Sequence, residues 1–94
     1  MESQMRAKDA IFILKLLQRN HIEVIVDGGW GVDALLGRQT RKHKDLDIAI
    51  DHDDAQKIRG VLELEGFKEI PRDDSHEFNF VFGDESGRWV DIHT

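Results

Sequence analysis

Apolar residues recur at helical and strand spacings along the chain, and the switches between the two periods predict its elements. Ala7, Ile11, Leu14 and Leu17 follow helical spacing over residues 5–19, with Phe12, Ile13 and Leu16 widening the apolar stripe and Asn20 and His21 as terminators. The β-rich run 22–27 predicts a strand ending at a glycine pair. A short helix is expected over 30–36, placing Ala34, Leu35 and Leu36 in the core, with Gly37 as its stop. Leu46, Ile48 and Ile50 then alternate with Asp45 and Asp47, so the next strand has an apolar and an acidic face. Asp53 or Asp54 can cap a helix marked by Ala55, Ile58, Val61 and Leu62, which Gly66 ends. Three further strands follow: a short one over 67–70, one over 76–82 with Phe78, Phe80 and Phe82 on one face, and one over 88–93. In the last, Val90 and Ile92 face the core while Trp89, Asp91 and His93 point the other way. Residues 83–87 form the hairpin-type turn between the last two.

Ninety-four residues make one small domain, 1–94, able to bury somewhat over ~60% of its unfolded surface. The net charge of −6 disfavours general DNA or RNA binding, which usually needs a basic footprint. The absence of cysteine removes disulfides and thiolate chemistry and fits a reducing cytoplasm. With no leader-like start and no apolar run of spanning length, a soluble cytoplasmic protein with no membrane partner is expected.

Chemistry concentrates in two stretches. In Asp27-Gly28-Gly29-Trp30-Gly31-Val32-Asp33, Gly28 and Gly29 permit a sharp strand-to-helix turn and leave backbone N–H groups open to an anion. In His43-Lys44-Asp45-Leu46-Asp47-Ile48, two carboxylates share one strand face and repel each other unless a hard divalent cation lies between them. A basic loop joins the two stretches: Arg38, Arg41, Lys42 and Lys44. Arg41 or Lys44 is expected to contact a triphosphate, and His43 to orient the loop by a hydrogen bond. Asp33 reads as a carboxylate favoured by a helix N-terminus, and Trp30 as a core anchor. Asp51, Asp53 and Asp54 lack the glycine and distal glutamate of a calcium loop.

The glycine stretch with Leu36-Gly37-Arg38, Thr40-Arg41 and His43-x-Asp45-x-Asp47 resembles the nucleotidyltransferase superfamily typified by DNA polymerase β. The Gly-Gly-Trp form and Asp91-Ile92-His93 are similar to the lincosamide and aminoglycoside 2″-nucleotidyltransferases. The resemblance implies that Asp91 joins Asp45 and Asp47 in a carboxylate triad holding Mg²⁺, two ions in all. Asp91 would complete one metal site or accept the hydroxyl proton. The implied reaction is metal-dependent transfer of a nucleoside monophosphate, AMP from ATP, to a hydroxyl of a small acceptor such as an aminoglycoside or lincosamide. The expected fold is a small α/β (α+β) domain, a mixed and largely antiparallel sheet of four or five strands with helices on one face. Members of that group continue beyond the Asp-Ile-His strand, so a minimal or truncated domain is expected. That feature favours an alternative, a non-catalytic or antitoxin-like module acting through a partner protein. An exposed aromatic face at Phe78, Phe80 and Phe82 would favour a homodimer.

Overall fold

Strand alternation accounts for most of the architecture. The computed structural model describes residues 5–39, 42–72, 75 and 78–94. Its elements run α1 (Ala7–Arg19), β1 (Val24–Asp27), α2 (Gly28–Leu36), β2 (Asp45–Ile50), a 3₁₀ turn (His52–Asp54), α3 (Ala55–Leu64), β3 (Lys68–Ile70), β4 (Asn79–Gly83) and β5 (Trp89–His93). The strands form one sheet in the order β1-β2-β5-β4-β3. All neighbours are antiparallel except the β2–β5 pair, which is parallel. This is the mixed, largely antiparallel α+β arrangement expected from the sequence.

Leu46, Ile48, Ile50, Val90, Ile92, Phe80 and Phe82 are buried on one face of the sheet, in a single cluster with Ala10, Ile13 and Leu17 of α1 and Ile58 and Leu62 of α3. Each large side chain removed from water contributes about 1.5–3 kcal/mol before the entropy of ordering is counted. With that face committed to the core, the period of two turns Asp45, Asp47, Asp91 and His93 to the other. Helix ends follow local chemistry. His21 takes a left-handed φ of 61° after α1, and the Ile22 N–H reaches back to the Leu17 carbonyl at 3.0 Å. The turn ahead of α3 is held by Asp51, whose side chain accepts from the Asp53 N–H at 3.2 Å, whereas Asp54 occupies the cap position without a side-chain bond.

Two expectations fail. Leu35 and Leu36 are 90% and 59% exposed, and Ala34 is exposed as well. The reason is phase: α2 starts at Gly28, directly off β1, and turns Trp30 and Asp33, three residues apart, inward. Leu35 therefore lies on the opposite side, and Leu36, in the last turn, falls on the flank and is less exposed than Leu35. The aromatic face also breaks up. Phe78 precedes β4, is half exposed and packs against the His52 ring at 4.8 Å, while Phe80 and Phe82 are buried. The Arg59 guanidinium sits 3.9 Å over the Phe80 ring and pairs with Glu69, so the three rings do not form one exposed face.

Candidate functional site

The site begins where β1 becomes α2 without a connecting loop. Gly28 has φ +64°, and a Cβ built there would lie 3.2 Å from both Cβ and Oδ2 of Asp47. Asp27 pairs with Asp47 across the β1–β2 ladder, which presses the turn onto that carboxylate. Asp27 gives α2 no side-chain cap, so the helix's first N–H groups remain to be met from outside it. Gly29 lies within the helix without a positive φ. The second conformationally demanding glycine is Gly31, where a Cβ would stand 2.7 Å from the Val26 carbonyl oxygen, closer than a Cβ can come. The period of the apolar residues carries no signal for that contact.

β2 and β5 supply the acids. Their parallel register sets Asp45 beside Trp89, Asp47 beside Asp91 and Ala49 beside His93. Asp47 and Asp91 are thus neighbours on one face, both partly buried. His93 Nε2 is 2.7 Å from Asp47 Oδ1 and 3.7 Å from Asp91 Oδ1. One donor atom from each of Asp47, Asp91 and His93 lies within 4.8 Å of the others. Asp45 stands one pleat away. Burial, and next the charge of Asp91, push its carboxyl above the ordinary range, against the opposing fields of Arg72, His43 and Lys44. A cation among these groups would relieve that cost, and a set rich in carboxylate oxygen suits a hard divalent ion. The residues therefore fit the Mg²⁺ that the resemblance implies.

Of the basic loop, Lys44 is exposed immediately ahead of Asp45, while Arg41 lies outside the described residues. A cation missed in the sequence is Arg72, whose guanidinium comes within 3.8 Å of Asp91 Oδ2. Its place in an unpatterned polar loop gave no sign of this.

Behind the acids, Asp33 and His43 are both buried and joined, Oδ2 to Nε2, at 2.5 Å. The His43 ring lies 4.3 Å from that of Trp30, and its carbonyl accepts the Met5 N–H at 2.9 Å. His43 makes a side-chain hydrogen bond, and through it the approach to β2 is tied to α2. Asp33 is not the simple helix-terminal carboxylate expected there; it ties α2 to the approach of β2.

A family model of the aminoglycoside-2″-adenylyltransferases matches residues 10–94. A lincosamide resistance protein of Staphylococcus haemolyticus is 43% identical over 61 residues, which cover 65% of this chain and 38% of that protein. A 2″-aminoglycoside nucleotidyltransferase of Escherichia coli is 33% identical over 54 residues, 57% of this chain and 30% of that one. Among solved structures, a lincosamide antibiotic adenylyltransferase with lincomycin bound superposes with a TM-score of 0.86 at 33% identity, covering 97% of this chain and 56% of its own. The chain therefore spans roughly a third to a little over half the length of these relatives. Among the described residues, no helix is long and apolar enough to cross a membrane. Because the matching family model takes in every element from within α1 to β5, this chain belongs to the aminoglycoside-2″-adenylyltransferase family.

Proposed function

We propose that this chain carries the centre of an enzyme that transfers AMP from ATP to a hydroxyl of a small acceptor, an aminoglycoside or a lincosamide. The observation that carries the reading is the parallel β2–β5 register, which brings Asp47 beside Asp91 with the Gly28 turn against the same carboxylate. Family membership supports a nucleotide and an antibiotic as the two substrates.

In this reading Asp45, Asp47 and Asp91 hold Mg²⁺, two ions in all. The bound ions supply charge neutralisation on the transferred phosphoryl group. The open N–H groups at the start of α2, around Gly28 and Gly29, donate to phosphate oxygens, and Lys44 and Arg41 add positive charge from the adjoining loop. Asp91 accepts the acceptor hydroxyl proton or completes a metal site. The hydroxyl oxygen bonds to the α-phosphorus, the α–β bridging bond breaks, and pyrophosphate leaves. The Asp33–His43 pair holds α2 against the start of β2, so the turn and the acids keep their relative positions.

The test is incubation with ATP labelled at the α-phosphate, Mg²⁺ and a panel of aminoglycosides and lincosamides. Label on an acceptor with release of pyrophosphate is the expected result. Transfer of γ-label instead, or of no label to any hydroxyl acceptor, would overturn the reading.

A further inference from the structure

We propose that His93 supplies an imidazole nitrogen to the cation held by Asp47 and Asp91, so that the site prefers Mn²⁺ and its softer neighbours to Mg²⁺. The inference rests on the reading of those two aspartates as cation ligands and adds a donor of a different kind.

Three observations carry it. First, Asp91 and His93 are two residues apart on β5 and so present their side chains on the same face as Asp47. Second, the separations suit shared coordination. Octahedral bonds of ~2.1 Å place adjacent donors ~3.0 Å apart and opposite donors ~4.2 Å apart. His93 Nε2 stands 2.7 Å from Asp47 Oδ1 and 3.7 Å from Asp91 Oδ1, and the three donor atoms lie within 4.8 Å of one another. A cation entering here replaces the His93–Asp47 hydrogen bond with one bond to each residue. Third, the His93 side chain is 41% exposed, so the ring can adjust and solvent-borne ions can reach it.

The donor set then sets the preference. Mg²⁺ takes oxygen ligands and gives up water reluctantly, whereas imidazole suits transition metals, with affinity rising from Mn²⁺ through Co²⁺. A site with only carboxylates would gain little from that exchange. One with His93 in the coordination shell gains a metal–nitrogen bond.

The test uses the whole chain without nucleotide, at one fixed neutral pH. Mn²⁺ binding is followed by the loss of its free electron-spin-resonance signal, Mg²⁺ binding by competition, and nitrogen coordination by spin-echo modulation from ¹⁴N. The wild type should bind Mn²⁺ more tightly than Mg²⁺ and show the nitrogen modulation. His93→Asn, which offers an amide oxygen, and His93→Ala should both lose the modulation. Their Mn²⁺ affinity should fall at least ~10-fold, the lower end for loss of a supporting group around a metal, with Mg²⁺ affinity little changed. Bound Mn²⁺ without nitrogen modulation in the wild type would overturn the proposal without reliance on any variant. So would Mn²⁺ and Mg²⁺ affinities falling in equal proportion, which would make His93 a positioning contact for Asp47, or no Mn²⁺ binding at all. Asp47→Asn separates the two readings. If it abolishes binding that is indifferent to His93, only this inference fails; if it leaves Mn²⁺ binding intact, the reading of the aspartates fails too.

Discussion

Replacing Gly28 with alanine perturbs the backbone and the acidic site together, and a second glycine separates the two effects. At φ +64° an alanine Cβ costs roughly 1–2 kcal/mol, less about 0.4–1 kcal/mol from a stiffer unfolded chain. The net loss is near 1 kcal/mol, or about 4–8 °C in Tm for a domain of this size. Gly37 has φ +75° and no atom within 4 Å of a built Cβ, so Gly37→Ala should lose a similar amount of stability for the backbone reason alone. Gly28→Ala does more. Its Cβ would meet Asp47 Cβ and Oδ2 at 3.2 Å, and Asp47 sits in a strand bonded on both sides, so the carboxylate gives way by tilting. If misplacement by ~1 Å costs ~100-fold in rate, a shift of ~0.3 Å costs about 4-fold. The assay is a thermal melt of each variant beside kcat/KM for AMP transfer. Similar melting losses, with the rate loss confined to Gly28→Ala, are expected. Equal rates in the two variants would refute the contact between turn and carboxylate.

Other consequences follow from the same geometry. ATP affinity measured by calorimetry should collapse in EDTA, because Asp45 and Asp47 otherwise repel a polyphosphate; equal affinity with and without Mg²⁺ would count against the site. Asp45 titrates above its ordinary value of 3.8 when folded, so its favourable contribution to stability is full below that value and is lost as pH rises through the higher folded value. Asp45→Asn should accordingly raise the Tm of metal-free protein at neutral pH and lose that advantage below pH 3.8. His43→Ala removes a buried bond to a carboxylate, worth about 1.5–3 kcal/mol, and should lower the unfolding free energy from urea titration by that amount, with the midpoint falling by that loss divided by the slope m, while His43→Gln recovers part of it.

Much of the fold was legible because local period and tertiary burial agree. Leu46, Ile48 and Ile50, and Val90 and Ile92, alternate in sequence and alternate in the sheet. Asp45 and Asp47 could be nominated by their shared strand face and Asp91 by resemblance, but their meeting depends on β5 lying parallel beside β2, a pairing that no spacing encodes. His93 was on the expected face, and only that register puts its ring on Asp47. α2 misled because it is apolar nearly all round: leucines look like core, and only the takeoff at Gly28 sets which side turns inward. Asp33 and His43 are ten residues apart across a turn, so neither residue alone announces a buried pair. Arg72 reaches Asp91 from a loop with no periodic pattern to place it.

The central claim is that the acids of β2 and β5 work as one nucleotidyl-transfer centre, and Asp91→Asn tests it most directly. The substitution keeps size and hydrogen-bonding capacity while removing a charge beside Asp47. Nucleotide affinity by calorimetry and single-turnover transfer to an accepted substrate are measured on the same preparation. Affinity held by Asp45, Asp47 and the Gly28 turn should stay within a few-fold of wild type, while transfer falls at least ~100-fold, the low end for loss of a general base. Near-normal transfer by Asp91→Asn would contradict the account and leave Asp91 a strand acid beside the site.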